Sequence, residues 1–432
     1  RLVGSEMCIR DRSWRKTGLA IHASRIQVTE TLSHPWLSLI GIGEGGFKDL
    51  TPAAKKIIEN AQIIFGGARH RTLIDFPQIE FFEWESPLSN SLPIILNNKG
   101  KKVVVLASGD PFYFGIGKLL AELIPANEIL SIPSPSSYSL AASYLKWSLQ
   151  DCALLSLHGR SLNKIIPYLQ PKAKILALSW DETTPSQIAA LLRERGMGNT
   201  KIHILENLGG VAEGAHVTSA HHFNLSAISK LNLIALDIVT EKDSTIIPLS
   251  PGLPDNMFDH DGQITKREIR AITLSSLAPR QGDILWDIGA GSGSISIEWM
   301  RLNPKNHAFA IEKNKERAAA ILKNAESMGT PELSVIVDTA PACFDKLPLP
   351  DAIFIGGGAS QDVIDKAWNA LPSGGRVVIN AVTLETQALL ILNYNQKGGD
   401  LITIDISRTK KIGKFHGLEP SMAIHQWRAV KP

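Results

Sequence analysis

Short apolar runs that end in glycine or in small polar residues recur along the first half of the chain. They lie at residues 37–40, 63–65, 103–107 and 129–132, and they predict buried β-strands. Helices are predicted between them at 52–61, 118–123 and 138–145, the first with Thr51 as N-cap and Pro52 as first residue. Because parallel strands end at one edge of a sheet, these loops predict a ligand cleft there.

The second half alternates more regularly between strand and helix. Strands are predicted at 284–288, 307–311, 333–337, 352–355 and 376–380, with helices at 294–302 and 317–328 and another ending at 371. Two last strands, 401–406 and 421–428, are joined by a basic loop with Lys410, Lys411, Lys414 and His416. That loop is interpreted as solvated, and substrate contact stays an alternative. The pattern of this half is that of an α/β domain with seven strands, in which the last two strands form an antiparallel pair.

Prolines and glycines mark the boundary between the two halves. Pro248, Pro251, Gly252 and Pro254 crowd a few positions, which predicts a linker at 243–255 between domains 34–242 and 256–432. Thr265 followed by Glu268 predicts a capping box for a helix over 266–277. Residues 1–33 lack a helical or strand period and are interpreted as an unstructured or non-native tail. A signal peptide is the alternative, although a continuous apolar core is missing.

Composition excludes several classes of protein. The 432 residues are 44% hydrophobic and 20% charged, which is typical of globular domains. A net charge of +3 predicts neither nucleic acid nor an acidic membrane as partner. The three cysteines show no CxxC spacing, so we expect no metal site and a reducing, cytoplasmic location. No apolar run approaches the roughly 18 residues of a membrane span.

The stretch from Asp287 to Gly293 follows a predicted buried strand and opens a helix. Its pattern is Asp-x-Gly-x-Gly-x-Gly, which fails the dinucleotide spacing and lacks the Gly-Lys-Ser/Thr ending of a P-loop. It resembles the first motif of the class I S-adenosylmethionine (SAM) methyltransferases. Glu312 ends the next strand about 20 positions later, where a carboxylate can accept ribose hydroxyls. A simple ion pair with Lys313 or Lys315 is the alternative.

The first half resembles the tetrapyrrole (corrin/porphyrin) methylases. The resemblance rests on Gly-x-Gly-x-Gly at 41–45, Ser-Gly-Asp-Pro at 108–111 and Pro-Ser-Pro-Ser-Ser at 133–137. Leu-His-Gly-Arg at 157–160 and Glu-Asn-Leu-Gly-Gly at 206–210 are similar to the branch that methylates C5 of a precorrin. The resemblance implies two α/β subdomains with SAM held between them. The implied SAM-binding residues are Gly41, Gly43, Gly109, Asp110, Pro135, Ser136 and Ser137.

The second half resembles the decarboxylating precorrin C15-methyltransferases. The motifs are 262–270, 380–385 and Gly-Gly-Gly at 356–358, where amino-group methylases carry Asn/Asp-Pro-Pro-Tyr. The SAM contacts that the resemblance implies are Thr265, Gly289, Ala290, Gly291, Ser292, Gly293, Glu312 and Ala340. Thr339 stands where relatives often have an acidic residue, so Asp338 is a possible substitute for an adenine contact.

Both halves together resemble the fused precorrin C5,15-methyltransferases of cobalamin biosynthesis. The resemblance implies methyl transfer from SAM to C5 by the first half, and methyl transfer to C15 with loss of the C12 acetate carboxyl by the second. Candidates for gripping substrate carboxylates are Arg160, Lys266, Arg267 and Arg270, with surface salt bridges or a helix-surface role as alternatives. No general acid or base is identified.

A small-molecule tetrapyrrole is thus the expected partner, and we expect a homo-oligomer. RNA or protein methylation is an alternative function, because the superfamily of the first half includes an RNA methylase. A SAM-binding scaffold with one degenerate half is another, for which Thr339 is the one hint.

Overall fold

The computed structural model describes residues 35–432, and the expected tail at 1–33 lies outside this range. The fold is α/β throughout, with two five-stranded sheets in the N-terminal half and a seven-stranded sheet in the C-terminal half. The expected fold class, two α/β subdomains followed by a class I methyltransferase domain, is confirmed.

The first sheet is entirely parallel and has the strand order β3-β2-β4-β1-β5. Its strands are β1 Leu37–Ile42, β2 Ile63–Gly66, β3 Glu80–Glu83, β4 Val103–Ser108 and β5 Ile129–Ile132. The accompanying helices are α1 Pro52–Glu59, α2 Ala68–Leu73, α3 Ser91–Asn97 and α4 Gly117–Ala121, with 3₁₀ turns at Phe47–Asp49, Leu88–Asn90 and Ala126–Glu128. Apolar side chains of β1 and β4 alternate between cores on both faces, which a parallel sheet requires. Thr51 caps α1 as predicted, its hydroxyl accepting from the Ala54 N–H.

The second sheet is mixed and has the order β6-β7-β10-β8-β9. Its strands are β6 Cys152–Ser156, β7 Lys174–Leu178, β8 Lys201–Glu206, β9 Gly214–Ser219 and β10 Asn232–Asp237. The helices are α5 Ser137–Leu145 and α6 Thr184–Glu194, with 3₁₀ segments at Leu149–Asp151 and Leu162–Tyr168. Helix α5 starts beside the end of β5 and packs on this second sheet through Tyr138, Ala141 and Ala142, so it ties the two subdomains together.

The C-terminal sheet has the order β13-β12-β11-β14-β15-β19-β16, in which β19 runs antiparallel to both of its neighbours and the other strands are parallel. Its strands are β11 Ile284–Ile288, β12 His307–Ile311, β13 Ser334–Ile336, β14 Ala352–Ile355, β15 Arg376–Ala381, β16 Asp400–Ile404 and β19 Ile424–Val430. The helices are α7 Arg267–Leu277, α8 Ser294–Leu302, α9 Lys315–Met328, α10 Gln361–Ala370 and α11 Leu384–Lys397, with 3₁₀ turns at Asp255–Met257 and Phe344–Lys346. The predicted seven strands and terminal antiparallel pair are present.

The predicted basic loop between the last two strands is wrong, because this segment is an antiparallel hairpin. Strands β17 Ser407–Ile412 and β18 Phe415–Pro420 pair with each other and with no other strand in the described chain. The hairpin carries exposed apolar residues, Phe415 and Leu418 among them. Since almost none of its side chains is buried, it stands away from the domain core.

Helix α9 connects the two halves. Asn163 donates to Glu326, Lys164 pairs with Glu332, and the Arg195 guanidinium donates to the Ser327 carbonyl at 2.6 Å. These contacts join the second subdomain to α9 and to the turn that follows it, and the buried Ile166 of the same 3₁₀ segment packs into the hydrophobic core of the C-terminal half.

Candidate functional site

A cavity of about 760 Å³ opens at the carboxyl ends of the parallel strands β11, β12 and β14. This is the edge at which α/β sheets bind ligands. Its size falls in the range of about 300–1,000 Å³ found for small-molecule sites. The glycine loop after β11 and the loop after β14 both contribute to its wall.

Two glycines of the loop are required by backbone conformation and space. Gly289 has φ +71°, and a Cβ there would lie 2.6 Å from the carbonyl oxygen of Gly357. Gly293 has φ +74° at the start of α8, and its Cβ would lie 2.6 Å from Ile321. The loop therefore lies flat against its neighbours, and residues 289–291 face the cavity.

Asp287 lies beneath this loop and is buried. Its Oδ2 accepts from the Ser296 hydroxyl at 2.7 Å and from the Ser296 N–H at 3.2 Å, which ties the end of β11 to α8. Burial raises the pKa of this carboxyl to about 6, and the hydrogen bonds from Ser296 oppose the shift. Asp287 is absent from the cavity wall, so its role here is to hold the loop.

Glu312 is buried and lines the cavity at the end of β12. One oxygen accepts from the Gly291 N–H at 2.9 Å and the other from the Asn314 N–H at 2.9 Å. These two bonds fix the carboxylate, and each oxygen keeps a lone pair that can accept from a hydroxyl. The alternative that Glu312 simply pairs with Lys313 or Lys315 is not what the structure shows.

A short segment before α7, residues 259–265, lies over the glycine loop. Asp261 pairs with Arg317 at 2.8 Å and Asp259 with Lys323 at 2.8 Å, both on α9. The buried Asn324 side chain accepts from the Asp259 N–H and donates to the Ser292 carbonyl. Thus α9 holds the segment that brings Gln263 and Thr265 into the cavity wall.

The predicted SAM contacts fall into two groups. Thr265, Gly289, Ala290, Gly291, Glu312 and Ala340 line the cavity, together with Asp338 and Thr339. Ser292 and Gly293 are absent from its wall. Ser292 is buried, and Gly293 packs against Ile321. These two residues support the loop from behind, and their contact with SAM stays a prediction.

Two predictions about the start of α7 are wrong. The helix begins at Arg267 with Lys266 as N-cap and without a side-chain cap, so Thr265 and Glu268 form no capping box. Glu268 pairs instead with Arg408. Arg270 is no substrate ligand, because it is fully buried and its guanidinium is held by Glu298, 2.5 Å away.

The remaining predicted cations are placed differently. Lys266 is exposed and lines the cavity, whereas Arg267 is exposed but absent from the cavity wall. Arg160 is exposed in the N-terminal half, and its guanidinium lies 5.5 Å from the centre of the Phe114 ring. Of the four candidates, Lys266 and Arg160 keep a position from which a substrate carboxylate can be reached.

The far side of the cavity was missed by sequence reasoning. It is formed by residues at the base of the hairpin: Ile404, Ile406, Arg408, Ser421, Met422 and Ile424. Arg408 adds a cation to a wall that also holds Lys266, Lys313 and Arg317. The signal in the sequence was the basic segment, but its pairing as a hairpin places Arg408 at the cavity, whereas Lys410 pairs with Glu419 within the hairpin.

In the N-terminal half the predicted SAM loops meet at the ends of β1, β4 and β5. A Cβ on Gly41 would lie 1.9 Å from the carbonyl oxygen of Gly109, and the Ser134 hydroxyl donates to the Gly41 carbonyl at 2.7 Å. Ser136 caps α5, and Asp110 accepts from the Phe112 N–H at 2.8 Å, as a turn residue does. The loops 41–43, 109–110 and 134–137 thus form one continuous edge.

Within residues 35–432, no group of three or more His, Cys, Asp or Glu side chains is arranged to hold a metal ion. No helix in this part of the chain has the length and apolar character needed to cross a membrane.

Residues 37–220 match the family model of the Tetrapyrrole (Corrin/Porphyrin) Methylases, and residues 256–431 match that of the Precorrin methyltransferase domain. A precorrin-6Y C(5,15)-methyltransferase (decarboxylating) from Sinorhizobium sp is 48% identical over 399 residues, covering 92% of this chain and 97% of that protein. The protein of that name from Mycobacterium tuberculosis is 34% identical, covering 91% and 99%. The crystal structure of the C-terminal domain of the Rhodobacter capsulatus precorrin-6Y C5,15-methyltransferase is 44% identical, with a TM-score of 0.41, covering 43% of this chain and all of that one.

The fold and the cavity define a SAM-dependent methyltransferase built from two unrelated methylase halves. The relatives span nearly the whole of it. The chain belongs to the family of the precorrin-6Y C(5,15)-methyltransferases (decarboxylating), enzymes of cobalamin biosynthesis. The predicted family, enzyme class, tetrapyrrole substrate and SAM cofactor are confirmed. RNA or protein methylation and a non-catalytic scaffold receive no support.

Proposed function

We propose that domain 256–432 methylates C15 of the precorrin and removes the C12 acetate carboxyl, and that domain 34–242 methylates C5. Residues 243–255 link them. The observation that carries the first assignment is the cavity at the ends of β11, β12 and β14, which combines a close-packed glycine loop with a fixed carboxylate.

The residues in the cavity suit SAM. Glu312 presents a fixed acceptor for the ribose hydroxyls, and the segment around Ala340 offers a flat wall for adenine beside Asp338 and Thr339. Bound there, SAM supplies an activated sulfonium methyl group. The chain itself has to hold the accepting carbon in line with that methyl group and to exclude water. For C-methylation of an electron-rich macrocycle this needs no strong general base.

The substrate side of the cavity suits a large, flat, acidic molecule. The loop 356–358 carries no side chains, and Ile404, Ile406 and Met422 form an apolar wall. Lys266 and Arg408 stand at this side as cations for acetate and propionate groups. Apolar surroundings also favour decarboxylation, because they remove water from the carboxylate while the macrocycle accepts the electron pair of the breaking C–C bond.

The N-terminal half is assigned to C5 by its loops. Gly41, Gly43, Gly109, Asp110, Pro135, Ser136 and Ser137 lie on the three loops that meet at the edge of the first sheet. The β8–β9 loop of the second subdomain approaches the same edge, since a Cβ on Gly210 would lie 2.7 Å from Glu44. A cleft between the subdomains is thus a second place for SAM, with Arg160 available for a substrate carboxylate.

We further infer a cytoplasmic homo-oligomer that acts without nucleic acid. The exposed Phe415, Leu418 and Met422 of the hairpin region support self-association, the unpaired Cys152 and Cys343 fit a reducing compartment, and the small net charge argues against nucleic acid. Sedimentation of the full chain tests the oligomer, and a monomer at micromolar concentration would contradict it.

Mass spectrometry of the corrinoid product tests the main proposal. Incubation of the full chain with SAM and precorrin-6Y should give two methyl gains and one carbon dioxide loss. A product with a single methyl gain, or without decarboxylation, would contradict the assignment of one reaction to each half.

A further inference from the structure

Four polar side chains that play no part in the predicted sites meet in the N-terminal half. Glu44 follows β1, Arg69 and His70 lie in α2 directly after β2, and Ser108 ends β4. Arg69 Nη2 donates to Ser108 Oγ at 2.6 Å, and its Nη1 pairs with Glu44. His70 Nε2 lies 3.0 Å from the same Ser108 oxygen.

The position of the proton on His70 follows from its second contact. The Gly67 N–H donates to His70 Nδ1 at 3.2 Å, so this nitrogen is an acceptor. Burial, with the nearby charge of Arg69 as a smaller cause, lowers the pKa of His70 to about 4. The ring is therefore neutral at pH 7, and its single proton lies on Nε2. His70 Nε2–H thus donates to Ser108 Oγ.

The Ser108 hydroxyl consequently accepts two hydrogen bonds, one from Arg69 and one from His70. A hydroxyl has two lone pairs and one proton, so its own O–H is left to donate. Ser108 is exposed, and no described residue accepts from it. Arg69 uses two of its five N–H groups here, and its side chain is 37% exposed. The Ser108 hydroxyl and the remaining N–H groups of Arg69 can therefore both donate hydrogen bonds into the space beside Ser108.

That space lies in the cleft between the subdomains. The strand order β2-β4-β1-β5 puts the predicted SAM loops at the ends of β4, β1 and β5 and this cluster on the β2 side. Glu44 is approached by Gly210 of the second subdomain. The cluster thus stands beside the loops assigned to SAM, where the second substrate would enter.

We propose that Arg69 and Ser108 bind a carboxylate of the tetrapyrrole during C5 methylation, with His70 and Glu44 as positioning residues. A guanidinium and a hydroxyl form charge-assisted hydrogen bonds to a carboxylate, and Arg can do so with two N–H groups. Glu44 holds the guanidinium from the side, and His70 turns the serine proton outward. The proposal rests on the assignment of C5 methylation to this half.

The test is steady-state kinetics of C5 methylation by the full chain, with separate KM values for precorrin-6Y and SAM. Arg69→Gln and Ser108→Ala should each raise the KM for the precorrin by about tenfold or more, the effect of losing a hydrogen bond to a charged group. The KM for SAM should change less than about twofold, and C15 methylation with decarboxylation should persist. Arg71→Gln, an exposed arginine of the same helix, is the matched control and should change neither value.

His70 is tested by a pair of variants. His70→Leu should raise the KM for the precorrin as Ser108→Ala does, and His70→Gln, which keeps an N–H donor, should recover much of the loss. If Arg69→Gln unfolds by circular dichroism, Ser108→Ala with Ser108→Thr as rescue decides the question.

The possible results distinguish failure of this proposal from failure of the assignment of C5 methylation to the N-terminal half. An increase in the KM for SAM alone would show that the carboxylate bound here is that of the methyl donor, and would overturn the proposal. Unchanged KM values would also overturn it. If these variants abolished C15 methylation and left C5 methylation intact, the assignment of C5 to this half would fail instead.

Discussion

The replacement Arg270→Met tests how the C-terminal domain is held to its linker. Arg270 is fully buried, with Glu298 2.5 Å from its Nε and the carbonyls of Leu253 and Thr265 accepting from its other nitrogens. Glu298 also accepts from the N–H groups of Gly252 and Leu253, at 2.6 and 2.9 Å. Arg270 also pairs with Asp255 at 3.2 Å, so its guanidinium fastens the linker, α7 and α8 together.

The expected loss of stability follows from the groups that Arg270→Met leaves without a partner. Methionine fills most of the volume but leaves the Glu298 charge buried with only two N–H donors, and it deprives two carbonyls of their partners. Removing one member of a buried ion pair costs about 3–5 kcal/mol. We therefore expect the local free energy of unfolding of α7 and α8 to fall by about 4 kcal/mol.

Hydrogen exchange by mass spectrometry measures this local free energy in peptides of α7 and α8. A loss of about 4 kcal/mol lowers their protection factors by about 1,000-fold. The double variant Arg270→Met/Glu298→Leu should recover at least half of the loss, because the buried charge of Glu298 is removed and the partly exposed Asp255 keeps Lys266 as a partner. Lys366→Met, which breaks an exposed pair with Asp362 on α10, is the control and should cost less than about 1 kcal/mol. A loss below about 1 kcal/mol for Arg270→Met, or no recovery in the double variant, would refute the reasoning.

Three further predictions concern the C-terminal site. Because burial raises the pKa of Asp287 to about 6, the native state binds its proton more tightly, so the stability from this group falls as pH rises from about 4 to about 6. Asp287→Asn should remove about 3 kcal/mol of that pH dependence in urea unfolding. Glu312→Gln should weaken SAM binding and C15 methylation by about tenfold or more and spare C5 methylation. Arg408→Gln should raise the KM for the precorrin in C15 methylation by about tenfold.

Matched controls sharpen these tests. Glu316→Gln, an exposed residue on α9, should leave SAM binding unchanged, and Lys411→Gln, exposed on the hairpin, should leave the KM unchanged. An Asp287→Asn variant with the same pH dependence of stability as the wild type would contradict the raised pKa of Asp287. Loss of C5 methylation alone in Glu312→Gln would reverse the assignment of the two halves. An unchanged KM in Arg408→Gln would remove the hairpin from the substrate site.

The strands and helices of the C-terminal sheet could be predicted from the sequence because each is marked by residues that lie within it or directly beside it in the chain. Strand β11 and helix α8 were predicted with their observed bounds, since a run of apolar residues stops at three glycines and a helix follows. The hairpin was missed because β17 has the sequence Ser-Arg-Thr-Lys-Lys-Ile, in which no residue is buried. Its strand conformation depends on pairing with β18, and hydrophobic patterning carries no sign of that.

The errors in the site have a similar cause. Arg270 was taken for a surface cation, yet it shares the buried stripe of α7 with Thr273, Leu274 and Leu277, at the i+3, i+4 and i+7 positions that helical periodicity would have shown. Arg69 and Ser108 meet only because β2 and β4 are neighbours in the sheet. Contacts between positions so far apart along the chain cannot be read from residue spacing.

The polar contacts between α9 and the N-terminal half also bear on why the two methylases share one polypeptide. The exposed polar contacts are each worth only about 0–1 kcal/mol, so the apolar contacts of Ile166 and Leu191 with the C-terminal core supply much of the affinity between the halves. Joined by a short linker, each meets the other at an effective concentration in the millimolar range. Covalent fusion therefore adds to these contacts in holding together the two methylase halves and the C5 and C15 sites proposed for them.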